Sequence, residues 1–201
     1  MKEHQHLEIV SAFAKAIEAR DEHTKWHSYR VANYSYHLAR QLNLSQEEVQ
    51  LVYWASILHD VGKIGVPEAI LNKKGPLTSV ERKIIQLHPV TGARILEPLG
   101  SFKEIVPIIY HHHERFDGMG YPGGLTGEQI PLLSRIITVA DSFEAMTADR
   151  CYRGKLSCYN ALEELKKNSG TQFDPVVISA FVKIKRNHGF FSDYEAVDYM
   201  I

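Results

Sequence analysis

Residues 49–65 read VQLVYWASILHDVGKIG, an apolar run that ends on a histidine–aspartate pair and then breaks at two glycines. Just ahead of it, Ser45 and Glu48 have the Ser/Thr-x-x-Glu spacing of a capping box, in which two orphan backbone donors at a helix start are satisfied reciprocally. The stretch therefore predicts a helix that delivers His59 and Asp60 into the turn VGKIG. The same pattern extends in both directions. Apolar residues recur at helical spacing at Leu7, Val10, Phe13, Ala14 and Ile17, and again at Val31, Tyr34 and Leu38. Thr78 with Glu81 and Ser101 with Glu104 repeat the capping box, and Pro131 and Pro175 sit where a first-turn proline is tolerated, the latter behind a capping Asp174. Alternating strand patterns are scarce. The fold class expected is all-α, a single helical-bundle domain with glycine-rich loops at Gly62 to Gly75 and Asp117 to Gly127.

At 201 residues, 44% hydrophobic and 23% charged, the chain suits one well-buried core. The expected division is an N-terminal helix over 1–20, a main domain over 21–185 and a C-terminal tail over 186–201. A formal charge of −1 excludes a global basic field for holding long nucleic acid, so an anionic ligand must be met by a few local groups. The two cysteines, Cys151 and Cys158, form no disulfide framework, and no apolar run reaches the length of a membrane span. A reduced, cytoplasmic setting is expected.

Histidine is the unusual component, with eleven in the chain. His27 shares a helix face with Val31, Tyr34 and Leu38, and His23 lies one turn earlier on that face. Next come His59-Asp60, His88 before Pro89, the run His111-His112-His113-Glu114, and Asp141 among Ile136, Ile137, Val139, Ala140 and Phe143. A single inward histidine is more often a core residue than a ligand, but a carboxylate in such apolar company must be paired or bound to metal. Imidazoles with at least two carboxylates and no thiolate suit iron, manganese or another first-row ion better than structural zinc. With Asp60 able to bridge, two ions could share a hydroxide, which is a hydrolytic arrangement.

HDVGKIG (59–65) together with HHERFDGMGYP (112–122) resembles the HD-GYP family of metal-dependent phosphohydrolases, and ADSFEAMTADRCYR (140–153) and GTQFDP (170–175) extend the resemblance. It covers roughly residues 20–180 and implies a helical bundle that hydrolyses cyclic di-GMP to the linear dinucleotide pGpG, and in some members to GMP, with two divalent ions. Carried over, it makes His27, His59, Asp60, His88, His112, His113 and Asp141 the metal ligands and leaves His111 as a packed or exposed helix residue. It gives Lys63 the scissile phosphate, and Tyr121, Arg150 and Arg153 the dinucleotide, for which the planar fork of arginine is suited. His23 stands where a glutamate goes with a third ion in the family, so it is the position at which a third metal could be held. Cys151 replaces the family's proline, which loosens that loop. The expected partners are cyclic di-GMP as substrate and either a second copy of the chain or a regulatory protein. Two alternatives stand beside this reading: a non-catalytic cyclic di-GMP-binding module, and a hydrolase for another cyclic dinucleotide or a mononucleotide. Retention of every expected ligand weighs against the first, and the DGMGYP loop against a generic HD hydrolase.

Overall fold

The computed structural model describes residues 2–20, 26–148 and 156–188, all helices and turns; among them there is no β-strand beyond one isolated bridge between Ser169 and Phe173. Among the described residues ten α-helices run in order: α1 Lys2–Glu18, α2 His27–Gln41, α3 Gln46–Leu58, α4 Glu68–Leu71, α5 Ser79–Ile85, α6 His88–Leu96, α7 Ile105–Tyr110, α8 Leu132–Thr147, α9 Cys158–Lys167 and α10 Pro175–His188. The C-terminal helix therefore continues three residues past 185. His23, Cys151, Arg150, Arg153 and the tail beyond His188 lie outside the described residues.

Helix α2 is the centre of the bundle, packed on α3, α8 and α10, and α3 in turn meets α7 and α8. The helical spacing read at Val31 and Leu38 is the reason, since both are fully buried on the face that carries His27. An aromatic trio joins three helices: Tyr34 of α2 meets Phe143 of α8 edge-on at 5.3 Å, and Phe143 meets Phe181 of α10 at 5.0 Å. The two fully buried rings, Phe143 and Phe181, contribute roughly 1.5–3 kcal/mol of burial free energy each. Helix α1 packs on α3 and on the turn after it through Val10, Ala14 and Ile17.

Both capping boxes at Ser45/Glu48 and Thr78/Glu81 form, at the starts of α3 and α5. The one expected at Ser101/Glu104 does not. Gly100–Phe102 instead tightens into a 3-10 turn that buries Phe102 completely, and α7 starts at Ile105 with no side-chain cap. A third box, Thr126 with Gln129, closes the glycine-rich loop before α8. Asp174 does cap α10, accepting from the Val176 N–H at 2.7 Å.

One contact fixes the two halves of the site. The 3-10 turn Val61–Gly65 lies directly on α6, and a Cβ at Gly62 would stand 1.9 Å from the carbonyl oxygen of His88 and 2.5 Å from the nitrogen of Gly92. Only glycine allows that approach, which carries Asp60 and Lys63 up to His88.

Candidate metal centre

The structure brings His27, His59, Asp60, His88, His112, His113 and Asp141 together at the ends and inner faces of α2, α3, α6, α7 and α8. Three sets of ligand atoms converge within 4.8 Å: His88, His112 and His113; His27, His59 and Asp141; and His59, Asp60 and His112. Asp141 is less enclosed than its apolar neighbours suggest, its side chain 21% exposed.

Local backbone sets the orientation of each ring. His59, His88 and His112 each sit at or just after a helix boundary and place Nδ1 at 2.6, 2.8 and 2.5 Å from the carbonyl three residues back, on Ser56, Ile85 and Ile109. A carbonyl only accepts, so Nδ1 holds the proton and Nε2 presents a lone pair. The end of α7 is steadied from α8, where Ser134 and Thr138 donate to the carbonyls of Ile108 and His112. Those hydroxyls satisfy backbone acceptors that a helix C-terminus leaves open.

The consequence is an arrangement that calls for a cation. Nε2 of His88 and Nε2 of His112 lie 3.2 Å apart, and Nε2 of His27 and of His59 lie 3.4 Å apart. In His88 and His112, neutral rings held by Nδ1–H, these are lone pairs facing one another. Two ligands at right angles, each about 2.1 Å from one ion, would be separated by about 3 Å. The donor set fits a divalent metal.

Asp60 lies between the two groups of rings. Its Oδ1 is 3.4 Å from Nε2 of His88, while its Oδ2 is 3.4 Å from Nε2 of His59 and 3.8 Å from Nε2 of His27. Lys63, one turn on, places its ammonium 2.8 Å from Oδ2. Burial opposes charge on Asp60, but Lys63 and the surrounding imidazoles hold its carboxyl well below the usual range. Burial also drives His88 down to about 4, His113 to about 3 and His112 well below its ordinary value. His27 goes the other way: burial disfavours its charge, yet Asp141 and Glu144 outweigh that and lift it to about 9. The carboxylate of Asp141, 3.3 Å from Nε2 of His27, favours a proton there and would favour a metal ion in the same place.

Tyr121 stacks on His113 with ring centroids 4.9 Å apart, which puts the DGMGYP loop at the rim of the centre. His111 sits half-buried at the end of α7, with Nδ1 3.3 Å from Glu114, away from the converging atoms.

Glu144 and Arg30, beside the centre, were not singled out from the sequence, and Glu114 was read only as the end of the run His111-His112-His113-Glu114. Glu144 places Oε2 2.5 Å from Nδ1 of His27, and Arg30 forks onto its other oxygen. Glu114, 2% exposed, accepts from the backbone of Gly123 and Leu125 at 2.6 and 3.2 Å. Spacing held the signal for two of them: Arg30 follows His27, and Glu144 follows Asp141, by three residues on one helical face.

Residues 11–177 match the HD domain family. The chain is 41% identical over 175 residues to the 3'3'-cGAMP-specific phosphodiesterase 3 of Vibrio cholerae, covering 87% of this chain and 38% of the relative. It is 40% identical over 185 residues to the cyclic di-GMP phosphodiesterase response regulator RpfG of Xanthomonas campestris, covering 90% of this chain and 48% of that one. The chain thus spans less than half the length of either relative. Its fold is also that of a solved cyclic GMP-AMP specific phosphodiesterase of V. cholerae, with a TM-score of 0.73 at 23% identity over 96% of this chain and 51% of that one. The HD domain of L. monocytogenes phosphodiesterase PgpH, solved with cyclic-di-AMP, matches with a TM-score of 0.62 at 19% identity, covering 89% and 97%. The chain belongs to the HD domain family, in its HD-GYP branch.

Proposed function

We propose that this chain is the catalytic unit of a metal-dependent phosphodiesterase that opens cyclic di-GMP to the linear dinucleotide pGpG, with GMP as a further product. The observation that carries the reading is Asp60, whose two oxygens face different histidine groups. In this reading His27, His59 and Asp141 hold one ion, His88, His112 and His113 hold a second, and Asp60 serves both. Imidazole and carboxylate donors without thiolate favour Fe(II) or Mn(II). His23, outside the described residues, stays the position proposed for a third ion.

Such a pair of ions lowers the pKa of water and offsets charge on a phosphoryl group. The chain's own residues account for the rest. Lys63, held 2.8 Å from Asp60, would meet a nonbridging phosphate oxygen. Water adds to phosphorus, the P–O bond to the ribose breaks, and the departing oxygen takes up a proton. Tyr121 at the rim would contact a guanine, and Arg150 and Arg153 would hold the dinucleotide through phosphate and base edges. Glycines shape the loop for this close approach: a Cβ at Gly120 would fall 2.3 Å from the nitrogen of Arg115.

A second substrate has support in the names of relatives. Proteins named as 3'3'-cGAMP-specific phosphodiesterases stand at 38–41% identity, beside cyclic di-GMP phosphodiesterases at 38–42%. Among the described residues no helix is long and apolar enough to cross a membrane, and the reading places the activity in the cytoplasm. The test is chromatography of products from cyclic di-GMP and 3'3'-cGAMP competing in one anaerobic reaction with Fe(II)- or Mn(II)-loaded protein. Linear pGpG in excess supports the proposal. Turnover of cGAMP alone reassigns the substrate, and binding without any product makes the chain a binding module.

A further inference from the structure

Glu144 is buried, yet it contributes to none of the three converging ligand sets. Its contacts run outward from the centre. Oε2 lies 2.5 Å from Nδ1 of His27, and Oε1 accepts from Nε of Arg30 at 2.8 Å and from Nη2 of the same guanidinium. His59, His88 and His112 differ, because each donates its Nδ1–H to a neutral backbone carbonyl. A carboxylate behind a ring makes the far nitrogen a stronger donor to metal than a carbonyl does, and it fixes tautomer and ring angle as well.

The two histidine groups are therefore unequal. On the His27 side, Asp141 places Oδ1 3.3 Å from Nε2 and Glu144 stands behind Nδ1. The His88–His112–His113 set contains three neutral rings and no carboxylate except the shared Asp60. Arg30 supplies the geometry. Its guanidinium, with a side chain 42% exposed, neutralises the far edge of Glu144, whose side chain is 2% exposed, and pins the carboxylate against the ring.

We propose that Glu144, anchored by Arg30, is a positioning residue that acts through Nδ1 of His27 and makes the His27–His59–Asp141 group the tighter of two divalent-ion sites. The inference rests on the two-ion reading above. It has a consequence that a merely structural role lacks: the effect of Glu144 must disappear when His27 is gone.

Calorimetry of the metal-free protein with Mn(II) reads this directly, because it does not depend on turnover. Wild type is expected to bind in two steps. Glu144→Gln keeps shape and an acceptor for Nδ1–H but removes the charge, and should weaken the tighter step by about ten- to a hundredfold while leaving the weaker step unchanged. In a His27→Ala background, adding Glu144→Gln should change nothing further, as a double-mutant cycle requires of residues acting as one unit. Arg30→Met, at a half-exposed position, should move the same step in the same direction by less, and it carries the test if Glu144→Gln does not fold. Equal weakening of both steps, an unchanged tighter step, or a full Glu144→Gln effect without His27 would overturn the proposal. Failure of the wild type to take up Mn(II) at all would overturn the two-ion reading together with it.

Discussion

The carboxylate of Glu114 accepts a hydrogen bond of 2.6 Å from the backbone N–H of Gly123, nine residues further along the chain. With the Leu125 N–H at 3.2 Å on its other oxygen, this buried side chain anchors the loop that carries Tyr121 to the rim of the site. Glu114→Ala leaves two backbone donors without their acceptor. The expected loss is on the order of 2–3 kcal/mol, since each unsatisfied group costs about 1–3 kcal/mol less whatever water recovers. Urea unfolding checks it, and KM for the cyclic dinucleotide should rise more than kcat falls.

Gly62→Ala should be far more damaging than its size suggests. The new methyl would lie 1.9 Å from the His88 carbonyl oxygen, against backbone that cannot swing aside. The turn must separate from α6, costing about 3 kcal/mol or more and pulling Asp60 from His88. Gly100→Ala is the control, because nothing lies within 4 Å of its added carbon. Thermal melts should separate the two variants clearly, and equal melting temperatures would contradict the close packing of the turn on α6.

The metal-free protein should be most stable near pH 7, where the opposing histidine shifts balance. His88 at about 4, His113 at about 3 and His112 well below its ordinary value bind fewer protons folded than unfolded, so stability falls as pH drops below about 6.5. Asp60, Asp141 and Glu144, all lowered, add a further loss in the acid range as the unfolded carboxylates protonate. His27 works in the opposite direction: raised to about 9, its contribution is complete below about 6.5 and fades as pH climbs toward 9. Urea midpoints of chelator-treated protein across this range test the shape. A midpoint still rising between pH 7 and 9 would contradict it.

Much of the centre was legible because its ligands lie where helices end against glycine turns. His59 and Asp60 announce themselves before VGKIG, and His112 and His113 before the glycines of the DGMGYP loop. Glu144 and Arg30 were not legible in the same way, since their meaning arises only when α2 and α8 pair residues 114 apart in the chain. Glu114 reads as one more member of a histidine run until the loop folds back onto it. Ser101 and Glu104 had the right spacing for a cap, but burial of Phe102 drew that segment into a 3-10 turn instead.

In the two-ion reading proposed above, Asp60 would hold both ions in one centre. Electron paramagnetic resonance of the Mn(II)-loaded protein tests it most directly, because ions bridged by a carboxylate couple their spins. An exchange-coupled signal is expected in wild type, and Asp60→Asn should abolish it. An uncoupled six-line spectrum from the fully loaded wild type would contradict it.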